Sequence, residues 1–337
     1  MSQEANIESL APRSDAMERA APGSTVRLDQ FGRAQRKQRS LWGNAWGQFR
    51  RHKLAMAGLV IFAIFLVMTV VGPIVYNVPH DEPQIGGLIP LTNLPPTLDH
   101  PMGTDSLGQD MLARILWGGR ISLSVGLVAA LLSVTVGTLI GAIAGFFGGF
   151  ADSFLMRVTD MFISLPQLPL LLLITFLFSQ SLQDFFQDTF GSANLGVFFM
   201  IVLVIGLLAW MSTARLVRAS FLSVREKEFV EAARSMGATR SSLMFKHILP
   251  NVLSPIIVAA TLEVGAAIIT ESALSFLGLG FPSNVPTWGR MLFEAKDYFE
   301  FSPHQALFPG MMIFLTVLAI NYMGDGMRDA LDPRKSQ

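Results

Sequence analysis

No cysteine occurs in the 337 residues of this sequence, and only 15% of them are Asp, Glu, Lys or Arg, against roughly a quarter in an ordinary soluble protein. The first absence excludes thiolate metal sites, thiol nucleophiles and disulfides. The second is concentrated in space. Residues 54–80, 121–151, 161–183, 189–214 and 301–324 contain no charged side chain, and each window is 23 residues or longer. A helix needs about 20 apolar residues to cross the hydrocarbon layer, so all five are long enough. A sixth stretch, 252–278, is interrupted only by Glu263 and Glu271. These segments are apolar or small all round, as from Leu123 to Gly145, and do not alternate as the strands of an outer-membrane barrel must. The predicted fold is all-α: a polytopic membrane helix bundle with six transmembrane helices, at 54–76, 121–148, 157–179, 195–213, 252–278 and 305–324.

Catalytic signatures are missing as well. There is no G-x-x-x-x-G-K-[ST] phosphate loop, no H-E-x-x-H and no G-x-S-x-G, so neither ATP hydrolysis by the usual route nor peptide or ester hydrolysis has a candidate site. The five histidines, His52, His80, His100, His247 and His304, lie on different segments without metal-ligand spacing. A formal net charge of zero removes any general electrostatic case for nucleic acid. The expectation is a chain that is not an enzyme and binds no cofactor or metal.

The few charges are placed unevenly. Of 25 Lys and Arg, ten precede residue 54, seven lie in 214–251, three follow residue 324 and one is Arg157; Arg114, Arg120, Arg290 and Lys296 form the opposite group. The positive-inside rule then predicts that both termini and the 214–251 loop are cytoplasmic. Residues 1–40 read as a disordered cytoplasmic tail. Leu41, Trp42, Trp46 and Phe49, followed by Arg50, Arg51 and Lys53, predict an interfacial amphipathic helix over 41–53. The first transmembrane helix, 54–76, is too long for a signal h-region and reads as an uncleaved anchor. The extracytoplasmic segment 77–120 reads as loop, then as a short surface helix over Asp105–Gly119 with Leu107, Met111, Ile115 and Leu116 on one face. A five-helix core over 121–324 and a cytoplasmic tail over 325–337 complete the chain. Gly137, Gly141 and Gly145 recur at the spacing that brings helices close in lipid. Pro166 and Pro169 predict a kink in the third span, and Asp160 is placed to pair with Arg157.

The loop 214–251 is unusual in length and pattern. Ala232, Ala233 and Met236 favour helix, Gly237 is placed for a C-terminal stop, and Thr239 can cap a second helix running to Pro250. The predicted shape is helix, tight turn, helix, tied through Pro250 and Asn251 to the fifth span. Such an elbow suits the passage of movement from a soluble partner to the bundle.

The pattern Glu231-Ala232-Ala233, with Gly237 four residues after Ala233 and Leu249-Pro250 beyond, resembles the EAA loop of ABC importer permeases. His247 stands where the general pattern has an aliphatic residue, and the string from His247 to Asn251 resembles the form in the peptide-type branch. Three further stretches resemble the second permease, the "C" subunit, of dipeptide, oligopeptide and nickel importers: His100–Arg114 with Gly119–Leu123, Glu271–Gly280, and Gly324–Arg334. Gln109 departs from the Arg expected there.

The resemblance implies a permease subunit of the bacterial cytoplasmic membrane that forms half of a translocation path. Its implied partners are a homologous second permease in a heterodimer, two ABC ATPase subunits that bind ATP and Mg, an extracytoplasmic substrate-binding protein and the lipid bilayer, with no nucleic acid. The implied ATPase-coupling residues are Glu231, Ala232, Ala233, Arg234, Gly237, Ala238, His247, Leu249 and Pro250. Glu231 would face a basic residue of the ATPase or, alternatively, pair with Arg234 for a few tenths of a kcal/mol. Peptides are the implied cargo, and the branch also includes carriers of nickel, glutathione and oligosaccharide. An ion-coupled secondary transporter is the competing reading. For the path itself the candidates are Glu271 and Glu263, because an acid in hydrocarbon costs about 2.5 kcal/mol or more and so faces a cavity or a partner, together with Asn321 near the inner end of the last span.

Overall fold

The computed structural model describes residues 41–86 and 89–331; the expected tail over 1–40 lies outside them. A short helix α1 (Leu41–Phe49) precedes the first span α2 (Lys53–Val75). An outer loop follows, with a two-residue antiparallel pair of strands, β1 (Ile85–Gly86) and β2 (Ile89–Pro90). Then come α3 (Met111–Phe147), α4 (Gly149–Ser164), α5 (Gln167–Phe190) and α6 (Ala193–Arg225). After α7 (Glu228–Ser235) the chain enters α8 (Arg240–Ser242), a π-helical turn Leu243–Ile248 and α9 (Leu249–Phe276), then α10 (Trp288–Ala295) and α11 (His304–Leu331). Among the described residues six helices are long and apolar enough to cross a membrane: α2, α3, α5, α6, the α8–α9 run and α11.

Three boundaries differ from those read in the sequence. There is no separate surface helix over 105–119, because α3 begins at Met111 and runs unbroken for 37 residues, about 55 Å. The arginines that make its first turns look polar are neutralised from within. Arg114 is buried among Asp105, Gln109 and Glu294, while Arg120 donates to the Thr69 and Val70 carbonyls at 2.7 and 2.6 Å. Second, the kink expected in the third span is a full break. Pro166 has no N–H and forces Leu165 into extended backbone (φ −81°, ψ 136°), so the crossing helix is α5 and α4 stands apart. Asp160 of α4 pairs with Arg215 of α6 at 2.5 Å, not with Arg157. Third, residues 325–331 are the last turns of α11, not tail.

The core is a seam between α3 and α6. A Cβ added at Gly137 would lie 2.6 Å from the Trp210 carbonyl oxygen, and one at Gly145 would lie 2.6 Å from the Phe221 Cβ; Gly141 is equally close to Ala214. The glycine ladder thus lets two backbones touch. Val125 and Ala129 of α3, Ile201 and Ile205 of α6 and Ala267 and Leu274 of α9 form the largest buried cluster. The short helix α1 sits on the first turn of α2 and the last turn of α11 through Phe49, Ala55 and Ala330.

The outer end is closed by a polar knot. Asp110 caps α3 by accepting from the Ala113 N–H at 2.8 Å, and also accepts from Tyr76 Oη at 2.9 Å and His100 Nδ1 at 2.8 Å. Burial of the Tyr76 hydroxyl, then its hydrogen bond to the Asp110 carboxylate and that group's charge, hold it well above the usual phenol range. The Trp288 indole donates to the Ile115 carbonyl at 3.1 Å, which fixes α10 against α3.

Candidate functional site

The C-terminal end of α6 carries the elbow. Arg225 donates to the Phe146 and Gly145 carbonyls at 3.0 and 3.3 Å, so the last turn of α6 caps the last turn of α3. Three residues later α7 begins, with Glu228 and Glu231 in its first turn and Arg234 in its last, the arrangement that suits the helix dipole. Val230 and Ala233 face inward and are buried against Val217, Phe221, Leu243, Ile248 and Val252. The opposite face presents Glu231, Ala232 and Arg234 to the surroundings; no ion pair joins Glu231 to Arg234 among the described residues.

The turn after α7 is a Schellman motif. The Ala238 N–H donates to the Ala233 carbonyl at 3.1 Å and the Gly237 N–H to Arg234 at 3.0 Å. Gly237 adopts φ +85° with nothing within 4 Å of a Cβ placed there. Its need is conformational, since the left-handed region is cheap only for glycine. Thr239 then caps the second arm by accepting from the Ser242 N–H at 3.3 Å.

That arm does not stop at Pro250. The missing proline N–H leaves a helical carbonyl without its donor, and the turn before it widens to π geometry over Leu243–Ile248. The Asn251 amide donates to the His247 carbonyl at 2.6 Å across the irregular turn. The helix therefore continues from the elbow to Phe276.

Glu231, Ala232, Arg234 and Gly237 come together on the open edge of the elbow, with Ala233 beneath them and Ala238 half-buried at the start of the second arm. His247, Leu249 and Pro250 lie farther along, where the arm meets the bundle. A cleft of about 790 Å³ separates the elbow from the end of α3, bordered by Phe146, Phe147, Arg225, Glu231, Arg234 and Arg240. The sequence pattern marked Met236 only as a helix former and did not single out Phe229 or Phe245; the three are 82%, 45% and 56% exposed on this polar segment. Their signal was available as large apolar residues on the polar side of two amphipathic arms.

The two acids of the fifth span have different surroundings. Glu263 is half-buried and borders a cavity of about 400 Å³ between the α4–α5 break, α6 and α9. Glu271 is fully buried. It accepts from Ser275 at 2.8 Å, Ser122 at 3.4 Å and Ser272 at 3.5 Å, and Ser122 Oγ in turn accepts from the Trp288 N–H at 3.2 Å. Glu271 thus ties α9 to α3 and α10 through hydroxyls. Asn321 stands on α11 beside Gly265, away from that cavity.

Comparison with known proteins bears on both features. Residues 137–337 match the family described as the binding-protein-dependent transport system inner membrane component, and residues 40–96 match the N-terminal TM domain of oligopeptide transport permease C. The chain is 39% identical to the oligopeptide transport system permease protein OppC of Haemophilus influenzae, over 91% of this chain and 93% of that one. It is 37% identical to the dipeptide transport system permease protein DppC of Alkalihalophilus pseudofirmus (88% and 90%) and 40% identical to the glutathione transport system permease protein GsiD of Salmonella typhimurium (88% and 91%). Among solved structures, the inward-facing MetNI methionine ABC transporter has a similar fold, with a TM-score of 0.51 at 18% identity over 66% of this chain and 98% of that one.

Proposed function

The chain belongs to the family of binding-protein-dependent transport system inner membrane components, and from that premise we propose that it forms half of a translocation path for peptides, driven through the elbow at Glu231–Pro250. It is a multi-pass permease subunit of an ABC importer in the bacterial inner membrane. Family membership leaves the ion-coupled secondary transporter without support.

In the proposed assembly a homologous second permease completes the path. Two ABC ATPases, which hold ATP and Mg, dock on the elbow from the cytoplasm, and an extracytoplasmic binding protein delivers cargo from outside. This chain binds no cofactor of its own, and both its termini are cytoplasmic, as the distribution of bases requires. Nucleotide binding draws the ATPases together and moves the elbows, which biases the path between inward-open and outward-open states. Glu231 and Arg234 offer charge to the ATPase, while Phe229, Met236 and Phe245 offer apolar area.

One observation carries this reading: the exposed elbow is joined without interruption to a membrane-crossing helix. Peptide is favoured as cargo because the relatives are named for oligopeptide, dipeptide and glutathione, and glutathione is itself a peptide. The test is uptake of labelled dipeptide into vesicles carrying the assembled importer. Uptake should require ATP and the ATPase subunits and should survive an uncoupler; uptake that persists without the ATPases and collapses with the uncoupler would refute the proposal.

A further inference from the structure

The cavity of about 400 Å³ beside Glu263 carries more than a general path assignment. It is of a size that suits a small ligand. Phe162, Ile163 and Leu165 close one side of it, at the break between α4 and α5. The other sides bring in a carboxylate from α9 and a guanidinium from α6, Glu263 and Arg215. Among the described residues no Lys, Arg or His forms an ion pair with Glu263. An acid held within a membrane span is costly unless something cationic or hydrating meets it; the Ser133 hydroxyl of α3 lies beside Glu263, and with no base on it the carboxylate stays open to an incoming cation. Arg215 uses one N–H on Asp160 at 2.5 Å. A guanidinium has five donors, so it keeps others for an incoming anion while Asp160 holds its position.

We propose that this cavity is a transit site for a small zwitterion, with Glu263 receiving the ammonium group and Arg215, braced by Asp160, receiving the carboxylate. Gln167, Ser212 and Thr270, which also line it, are suited to the peptide group between the two charges. The inference rests on the peptide reading above, since an ammonium and a carboxylate are what dipeptides, oligopeptides and glutathione have in common. Glu271 takes no part, because its oxygens are already engaged by hydroxyls.

The site is tested by equilibrium dialysis of labelled dialanine, its N-acetyl derivative and its amide. Each is dialysed against the solubilised complex of both permeases and both ATPases, without binding protein or nucleotide. The wild-type complex should bind dialanine at least tenfold more tightly than either blocked form. Glu263→Gln should bring dialanine down to the level of the N-acetyl derivative, and Arg215→Gln to that of the amide. Glu263→Asp should keep most of the affinity, and size-exclusion of each variant complex establishes that it assembles. Wild-type binding that does not distinguish the three ligands, or unchanged dialanine binding by Glu263→Gln, overturns the transit site. ATP-dependent dialanine uptake by the complete wild-type importer, measured alongside, then leaves the peptide reading standing. Absence of both binding and uptake overturns the two together.

Discussion

Arg114 donates to Glu294 across 2.8 Å, joining the first turn of α3 to α10 over 180 residues of sequence. Arg114 is 1% exposed and Asp105 completes the pair on its other side. Removing the guanidinium would leave Asp105 without a base and Glu294 with Arg290 alone, and breaking one partner of a buried pair costs about 3–5 kcal/mol. Arg114→Ala should therefore lower the melting temperature of the purified complex sharply. A double variant, Arg114→Ala with Asp105→Asn, should recover part of that loss, and equal melting of the single and double variants would contradict the assigned pairing.

The α3–α6 seam predicts a steric failure of a different kind. A Cβ at Gly141 would come within 2.8 Å of the Val217 Cβ and strike the Ala214 carbonyl. Overpacking of a closed contact costs about 1–3 kcal/mol, and more where backbone must move. Gly141→Leu should lower thermal stability and disrupt disulfide cross-linking between cysteines introduced on the two helices. Preserved cross-linking would show that the helices are not held as closely as described.

Much of this architecture was legible in advance. Windows free of charge located the spans because a bilayer tolerates little else, and Gly137, Gly141 and Gly145 announced the seam by their spacing. The elbow was legible down to Gly237 and Thr239, because capping chemistry is local. What escaped prediction depended on distant partners. Arg114 and Arg120 looked like surface residues until Glu294 and the Thr69 and Val70 carbonyls were seen to receive them. Likewise Glu263 and Glu271 were indistinguishable as acids in one apolar run. Three serine hydroxyls, from α3 and from α9 itself, close the Glu271 carboxylate, whereas Glu263 meets Ser133 and borders the cavity.

Gly237 separates strain from clash. With no atom within 4 Å of its would-be Cβ, Gly237→Ala should cost only the left-handed backbone penalty, about 1–2 kcal/mol, and uptake should persist. Gly237→Pro demands φ near −65° in place of +85° and deletes the N–H that reaches Arg234. Uptake by that variant should be lost while the chain still inserts in the membrane. Normal uptake by Gly237→Pro would sink the elbow's role in coupling.

His80 gives a pH dependence with a definite sign. Its ring stacks on Trp117 with centroids 4.5 Å apart. Burial lowers its pKa from the usual 6.5, outweighing the opposing pull of Asp81, and Arg114 lowers it further. The unfolded chain therefore binds more protons than the folded one in the acid range, so the stabilisation held above about pH 6.5 is lost as the pH falls. Trp117 emission, taken as the difference from Trp117→Phe, should be quenched on acidification with a midpoint below about 6.5. A midpoint above that value would contradict the packing described.

The serine nest around Glu271 acquires a mechanical meaning from where it falls along its helix. It clamps α9 to α3 and α10 only eight residues beyond Glu263 but 31 beyond Arg240, where the elbow's second arm begins. At 1.5 Å per residue these are lever arms of about 12 and 46 Å from a common fulcrum. Any swing of the elbow about that fulcrum is geared down almost fourfold at Glu263, so that a displacement of about 4 Å at Arg240 reaches the carboxylate as about 1 Å. That is little enough to keep the helix packed, and it is sufficient to carry a hydrogen bond from about 2.9 Å to beyond its working range.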